Sequence, residues 1–225
     1  MGRIGYPSGM EMHAIKLYAL WCFGAFLAGS IPFGLVLVRL AGKGDVRAHG
    51  SGNIGATNVM RAGGKGLGIA TLLLDAAKGF LPVYLAKCAH FQPEFLAFVA
   101  LAAVAGHVFT PWLKFQGGKG VATALGAVLA YHAAMVLPAL GAFVLLLLVF
   151  RYVSLGSVVA AVVLLLTVMG FMGEWARPPI HEGMAQWPIL AWALLVGLVI
   201  RKHAPNINRL VQGTESRFWG AKKNA

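Results

Sequence analysis

Residues 117–150 read GGKGVATALGAVLAYHAAMVLPALGAFVLLLLVF, a glycine turn around one lysine followed by residues 121–150, which contain no Asp, Glu, Lys or Arg. An uncharged run of that length exceeds the roughly 20 residues with which one helix crosses about 30 Å of hydrocarbon. Pro138 and Gly141 lie where such a run would divide, so a compact pair of helices is expected with its break there. The fold class follows: all-α, embedded in lipid.

Composition extends that reading to the whole chain. Of 225 residues, 59% are hydrophobic and 12% charged, and the mean hydropathy is +0.75, far from soluble averages. A single membrane-embedded domain over 1–225 is expected, with no room for a separate soluble one. The net charge of +12 resides in short loops between apolar spans and not in a stripe with interleaved aromatics. It reads as membrane topology, not as a nucleic-acid surface. Cys22 and Cys88 lie in or beside apolar spans without metal-ligand spacing, and are expected to be packing residues.

The remaining spans are read outward from that pair. The first covers 17–40, kinked at Pro32 within Gly29-Ser30-Ile31-Pro32-Phe33-Gly34. A cleaved signal peptide competes, because Lys16 precedes a short apolar run ending in Ala28-Gly29-Ser30; the apolar pattern continuing to Leu40 favours retention. The second, 66–87, carries Asp75 and Lys78 on one helical face. Either charge alone would cost about 2.5 to 3.5 kcal/mol at a helix centre, so the two are expected to face inward as a structural ion pair. The third covers 95–113, with His107 near its end and Pro111 closing it; 121–150 supplies the fourth and fifth, 155–172 the sixth and 187–201 the seventh.

Seven crossings put the termini on opposite sides. Fourteen of the nineteen Lys and Arg residues fall in 39–65, 114–119, 151 and 201–225. The positive-inside rule makes that side cytoplasmic, with the C-terminus there and the N-terminus external.

Every polar, glycine-laced interruption lies on that same side. Gly50-Ser51-Gly52-Asn53-Ile54-Gly55-Ala56-Thr57-Asn58 with Arg61 matches G-x-G-x-x-G, but no strand precedes it, so a dinucleotide fold is not indicated. It reads instead as a nest of N–H groups, with Ser51, Asn53, Thr57 and Asn58 as donors and Arg61 as a fork for an oxyanion. Gly117-Gly118-Lys119-Gly120 lacks the ending of a P-loop, yet a glycine turn opening a helix still aims N–H groups at an anion, and Lys119 adds charge. Gly63-Gly64-Lys65-Gly66 is a near copy, for which helix capping or a headgroup anchor suffices. Ser154, after Arg151-Tyr152, either caps a helix or reaches the pocket, and His203 and Asn206 lie just past the last span. No order of residues suggests a metal site or a Ser-His-Asp triad. An anion transporter would also use broken helices around phosphate, but near the midplane and between repeats, whereas these segments gather on one face.

These segments, with Leu74-Asp75, Lys78-Gly79, Gly106-His107, Phe115 through Thr123, Arg151 through Leu155 and His203 through Glu215, resemble the bacterial acyl-phosphate:glycerol-3-phosphate acyltransferase (PlsY) family. The similarity covers about residues 15–218; residues 1–13 look like an unmatched extension and 174–187 a variable outer loop. The resemblance implies a seven-helix enzyme of the bacterial inner membrane, active at the cytoplasmic face and functional as a monomer among membrane lipids. It would move an acyl group from acyl phosphate to glycerol 3-phosphate, releasing phosphate and lysophosphatidic acid at the start of phospholipid synthesis, without cofactor or metal. It also implies catalytic roles for Ser51, Lys119, Ser154 and His203, and substrate contacts from Gly50, Gly52, Asn53, Thr57, Asn58, Arg61, Gly118 and Asn206. The group that accepts the hydroxyl proton stays open between His203 and a substrate phosphate oxygen.

Overall fold

The structure, a computed structural model, describes residues 9–175 and 186–219. Most of the expected extension, the centre of the 174–187 loop and the end of the C-terminal tail lie outside the described residues, and with them Arg3, Arg177, Lys222 and Lys223. The described elements are helices: α1 Gly9–Ser30, α2 Phe33–Leu40, α3 Ala56–Gly63, α4 Lys65–Cys88, α5 Pro93–Val108, α6 Val121–Tyr131, α7 Val136–Phe150, α8 Val153–Trp175, α9 Gln186–Lys202 and α10 Ala204–Val211. Five spans among the described residues are long and apolar enough to cross a membrane, the first being α1 and α2 together over Met12–Leu40. Helices α9 and α10, bent by 53° at the break between them, are long and apolar enough only when taken together, and α6 is apolar but shorter. This is a polytopic integral membrane architecture.

The break between α1 and α2 is where the sequence places it, because Pro32 has no N–H to continue the ladder. Orphaned carbonyls at such a break need donors in a lipid environment. Ser30 Oγ donates to the Leu27 carbonyl at 2.7 Å, Thr110 Oγ1 to the Ser30 carbonyl at 2.6 Å and Lys78 Nζ to the Ile31 carbonyl at 2.7 Å. Trp112 Nε1 then donates to Ser30 Oγ at 2.9 Å.

The long apolar run divides elsewhere than expected. It breaks at His132, whose backbone is extended, and a 3-10 turn over Ala133–Met135 leads into α7. Pro138 lies inside α7, in its first turn, where a missing N–H removes no helical bond. The third span runs Pro93–Leu113, close to the expected 95–113; within it α5 ends at Val108 and Pro111–Leu113 is a separate 3-10 turn. Residues 56–63, read as part of a loop, form α3, so Thr57, Asn58 and Arg61 project from a helix.

Bundle packing depends on small residues, as it must where lipid supplies no hydrophobic drive between helices. A Cβ on Gly29 of α1 would overlap the Ala103 carbonyl of α5, and one on Gly106 would overlap the Phe26 carbonyl in return. Gly79 of α4 meets the Thr123 carbonyl of α6 and Gly126 meets the Ala76 carbonyl in the same way. Helix α5 is the centre of the bundle, contacting α1, α4, α6 and α9. Its Val99, Ala103 and Val104 are fully buried with Val128, Trp192 and Leu195. A separate small core of Leu35, Val38, Val46, Ile54, Val59 and Leu113 packs beneath the polar loop at 42–55 and fixes it against α2 and α3.

Candidate anion site between the polar breaks

The 50–61 segment is shaped by its own amide side chains. Gly50 and Gly52 have φ of 55° and 69°, the left-handed region that glycine enters freely, and a Cβ on Gly50 would overlap Asn58 Oδ1. Buried Asn58 accepts the Ser51 N–H at 3.0 Å through Oδ1. Its Nδ2 divides its hydrogens among the carbonyls of Val46, His49 and Asn53 at 3.0, 3.0 and 2.8 Å. Asn53 Oδ1 accepts the Gly55 N–H at 2.8 Å. Asn53 and Asn58 were both expected to reach a ligand; in this structure their amides hold the loop, and Ser51 is left exposed on it. Thr57 and Arg61 stand one turn apart on α3.

The lysine loop docks on the end of α5. Lys114 and Phe115 turn the chain with φ of 53° and 63°. Gly117 N–H then donates to the Val108 carbonyl at 3.0 Å and Gly118 N–H to the His107 carbonyl at 3.1 Å. The expected aim of these two N–H groups at an anion therefore does not hold in this structure, because tertiary contact with α5 uses them. Gly120 follows as the N-cap of α6 with φ 82°, leaving the first turn of α6 to present its N–H groups at the loop. Lys119 is largely buried there. Burial brings its pKa down to about 8; nearby Glu215 opposes that, while Arg209 and Arg61 add to it.

The third and fourth segments meet at Glu215. Ser154 Oγ donates to Glu215 Oε1 at 2.7 Å instead of capping α8. Asn206 Nδ2 donates to the same oxygen at 2.7 Å, and Arg209 Nε to Oε2 at 2.7 Å. These three donors, acting with the charge of Arg209, outweigh desolvation and hold the Glu215 carboxyl below its usual pKa. The tail carrying Glu215 is strapped down beyond it: Phe218 N–H donates to the Arg151 carbonyl at 2.7 Å, and Arg217 stacks over the Tyr152 ring at 5.8 Å. His203 lies past the α9 span, with Nδ1 2.8 Å from the Val199 carbonyl. Nδ1 must be the donor, so the neutral ring keeps Nε2 as an acceptor. Burial, chiefly, lowers its pKa to about 4, and Lys119 contributes.

Four stretches of chain thus lie within electrostatic reach of one another. Lys119 senses Arg61, Arg209 and Glu215, and His203 senses Lys119 and Glu215. Ser154 and Asn206 share a carboxylate with Arg209. The result is a basic, partly buried cluster with hydroxyl, amide and imidazole groups beside the charges, chemistry suited to phosphate. Asp75 and Lys78 lie deeper, paired at 2.8 Å on α4. Neither Arg209 nor Glu215 carries a role in the sequence reading; the signal present there is an acidic residue on a strongly basic side.

Residues 19–213 match the glycerol-3-phosphate acyltransferase family. The glycerol-3-phosphate acyltransferase of Trichlorobacter lovleyi is 51% identical over 199 residues, 88% of this chain and 96% of that protein. That of Geobacter sulfurreducens is 47% identical over 194 residues, 86% and 94% of the two chains. Among solved structures, PlsY, an integral membrane glycerol 3-phosphate acyltransferase in its glycerol 3-phosphate form, superposes with a TM-score of 0.79 at 38% identity, covering 91% of this chain and 96% of that one. Its lysophosphatidic acid form gives 0.77 at 37% identity, over 89% and 95%. Matched over most of its length in sequence and in shape, the chain belongs to the glycerol-3-phosphate acyltransferase family.

Proposed function

We propose that this protein transfers an acyl group from acyl phosphate to the primary hydroxyl of glycerol 3-phosphate, at the cytoplasmic face of a bacterial inner membrane. The observation that carries the proposal is the gathering of Lys119, Arg61 and Arg209 around Ser154, Asn206 and His203. A cluster of this charge suits phosphate groups, and PlsY, whose structures are its glycerol 3-phosphate and lysophosphatidic acid forms, has the same fold. The charge bias of the loops, with fourteen of the nineteen Lys and Arg residues on the side of these segments, supports a site that opens to cytosolic phosphates.

In this reaction the glycerol oxygen forms an ester bond to the acyl carbon. The bond from that carbon to the phosphate oxygen breaks, and phosphate departs with the electron pair. An acyl phosphate is already activated, so the protein supplies placement and charge. Lys119 and Arg61 hold phosphate groups; Ser51, Ser154 and the first N–H groups of α6 stabilise the oxyanion; His203 and Asn206 orient the glycerol. At a pKa of about 4, His203 is a weaker base than a phosphate oxygen, which titrates near 6. The departing phosphate is therefore the better acceptor for the hydroxyl proton.

The test is phosphate release by purified protein given acyl phosphate and glycerol 3-phosphate, run beside acyl-CoA, with Lys119→Ala as the control. Release that needs both substrates and Lys119 is expected. Turnover with acyl-CoA alone would reject the donor, and normal activity of Lys119→Ala would reject the site.

A further inference from the structure

Behind the lysine loop lies a buried polar group that acyl transfer does not use. Lys78 Nζ is 2.8 Å from Asp75 Oδ1, His107 Nδ1 is 3.7 Å from the same oxygen, and all three side chains are at most 4% exposed. A buried ion pair is seldom worth more than well-packed apolar residues of the same volume, so stability alone does not account for it. Its neighbours suggest another role. On one side a Cβ at Gly118 would run into His107 Nε2, so the imidazole is in contact with the loop that carries Lys119. That loop is also bonded to the His107 carbonyl. On the other side Lys78 donates to the Ile31 carbonyl at the break before α2. Three residues later, Gly34 abuts the Ile54 carbonyl closely enough that a Cβ there would overlap it, and Ile54 belongs to the loop bearing Ser51.

We propose that Asp75, Lys78 and His107 are positioning residues: they form a brace that fixes the lysine loop relative to the 42–55 loop, so that Lys119 and Ser51 address the same reactants. His107 is the wedge against Gly118. The Asp75–Lys78 pair backs the wedge by packing, 3.7 Å from its Nδ1 and beyond hydrogen-bond reach, and Lys78 ties the pair to the α1–α2 break. The inference rests on the acyl-transfer reading only for its kinetic assay.

The experiment uses the full chain in detergent, as His107→Ala, Gly118→Ala, their double variant and Asp75→Asn. Each single change at 107 and 118 is expected to lower kcat about tenfold or more. The double variant should fall no further than the worse single one, because removing the imidazole frees the space that the new Cβ needs. Losses that multiply, or no loss in the singles, overturn the brace. Amide hydrogen exchange gives a readout independent of turnover: in His107→Ala and Asp75→Asn, Gly117 and Gly118 should exchange about tenfold faster or more, while α7 and α8 stay as in the parent. Exchange rising equally everywhere would mark a general loss of stability and refute positioning, as would unchanged exchange at 117–118. Should the parent protein release no phosphate from acyl phosphate, the donor assignment fails while the exchange comparison still decides the brace.

Discussion

The pKa of Lys119 makes a quantitative prediction about pH. With a pKa of about 8 in the ligand-free protein, its ammonium is about 90% populated at pH 7 and about 10% at pH 9, and kcat/KM reports ionisation of the free enzyme. The protonated form is the one that attracts phosphate, so activity is present below pH 8 and lost above it. Between pH 7 and 9, kcat/KM for glycerol 3-phosphate should fall about tenfold, the ratio of those two fractions. His203, at about 4, and Glu215, lowered by its three donors, titrate outside that window. Lys119→Arg supplies the control, since a guanidinium stays charged throughout. Its absolute activity should be lower, because the fork is larger than the ammonium, yet its profile should be flat over the same range. The assay is initial phosphate release at subsaturating glycerol 3-phosphate in buffers of constant ionic strength. A flat profile for the parent, or an equal fall in Lys119→Arg, refutes the idea that this buried ammonium governs capture.

Other substitutions test the supports of the site. Asn58→Asp keeps the acceptor for the Ser51 N–H but turns a carboxylate toward the carbonyls of Val46, His49 and Asn53. Leaving such buried groups unpaired costs about 1–3 kcal/mol each, so this variant should melt below Asn58→Ala and lose activity by circular dichroism and turnover assay. Gly126→Val drives a side chain into the Ala76 carbonyl. Overpacking of this kind costs about 1–3 kcal/mol, read as a lower thermal midpoint in detergent. Glu215→Gln keeps acceptor oxygen for Ser154 and Asn206 but discharges the partner of Arg209. Lys119 should then lose a stabilising negative neighbour, and the pH midpoint of kcat/KM should move down from about 8. A midpoint that rises or stays would contradict the electrostatic coupling.

The sequence announces its helices because crossing a bilayer demands length and apolarity, and both are visible in one dimension. Pro32 was informative for the same reason, since its lost N–H falls in mid-span. Pro138 misled because proline is harmless in a first turn, and only the start of α7 at Val136 shows that this is where it lies. The glycines at 117 and 118 were read as free donors; which way an N–H points depends on α5, which the local pattern does not contain. Asn58 has the residue type of a ligand group, and the four backbone atoms that occupy its amide come from residues 46–53, brought round by a turn whose geometry no periodicity reports. Glu215 has no ligand signature in one dimension, and its role shows only where the fold brings three donors to its carboxylate.

The contact of Gly79 with Thr123 and of Gly126 with Ala76 sets a depth as well as an interface. Ala76 and Gly79 lie roughly 17 and 21 Å along α4 from its first residue at a 1.5 Å rise, while Thr123 is only the third residue of α6. The lysine that precedes α6 is thus recessed well below the level at which α4 begins. Under the proposed reaction, a lysine at that depth lets water-soluble glycerol 3-phosphate meet an acyl donor whose oily tail stays in the bilayer, so that neither reactant has to change solvent.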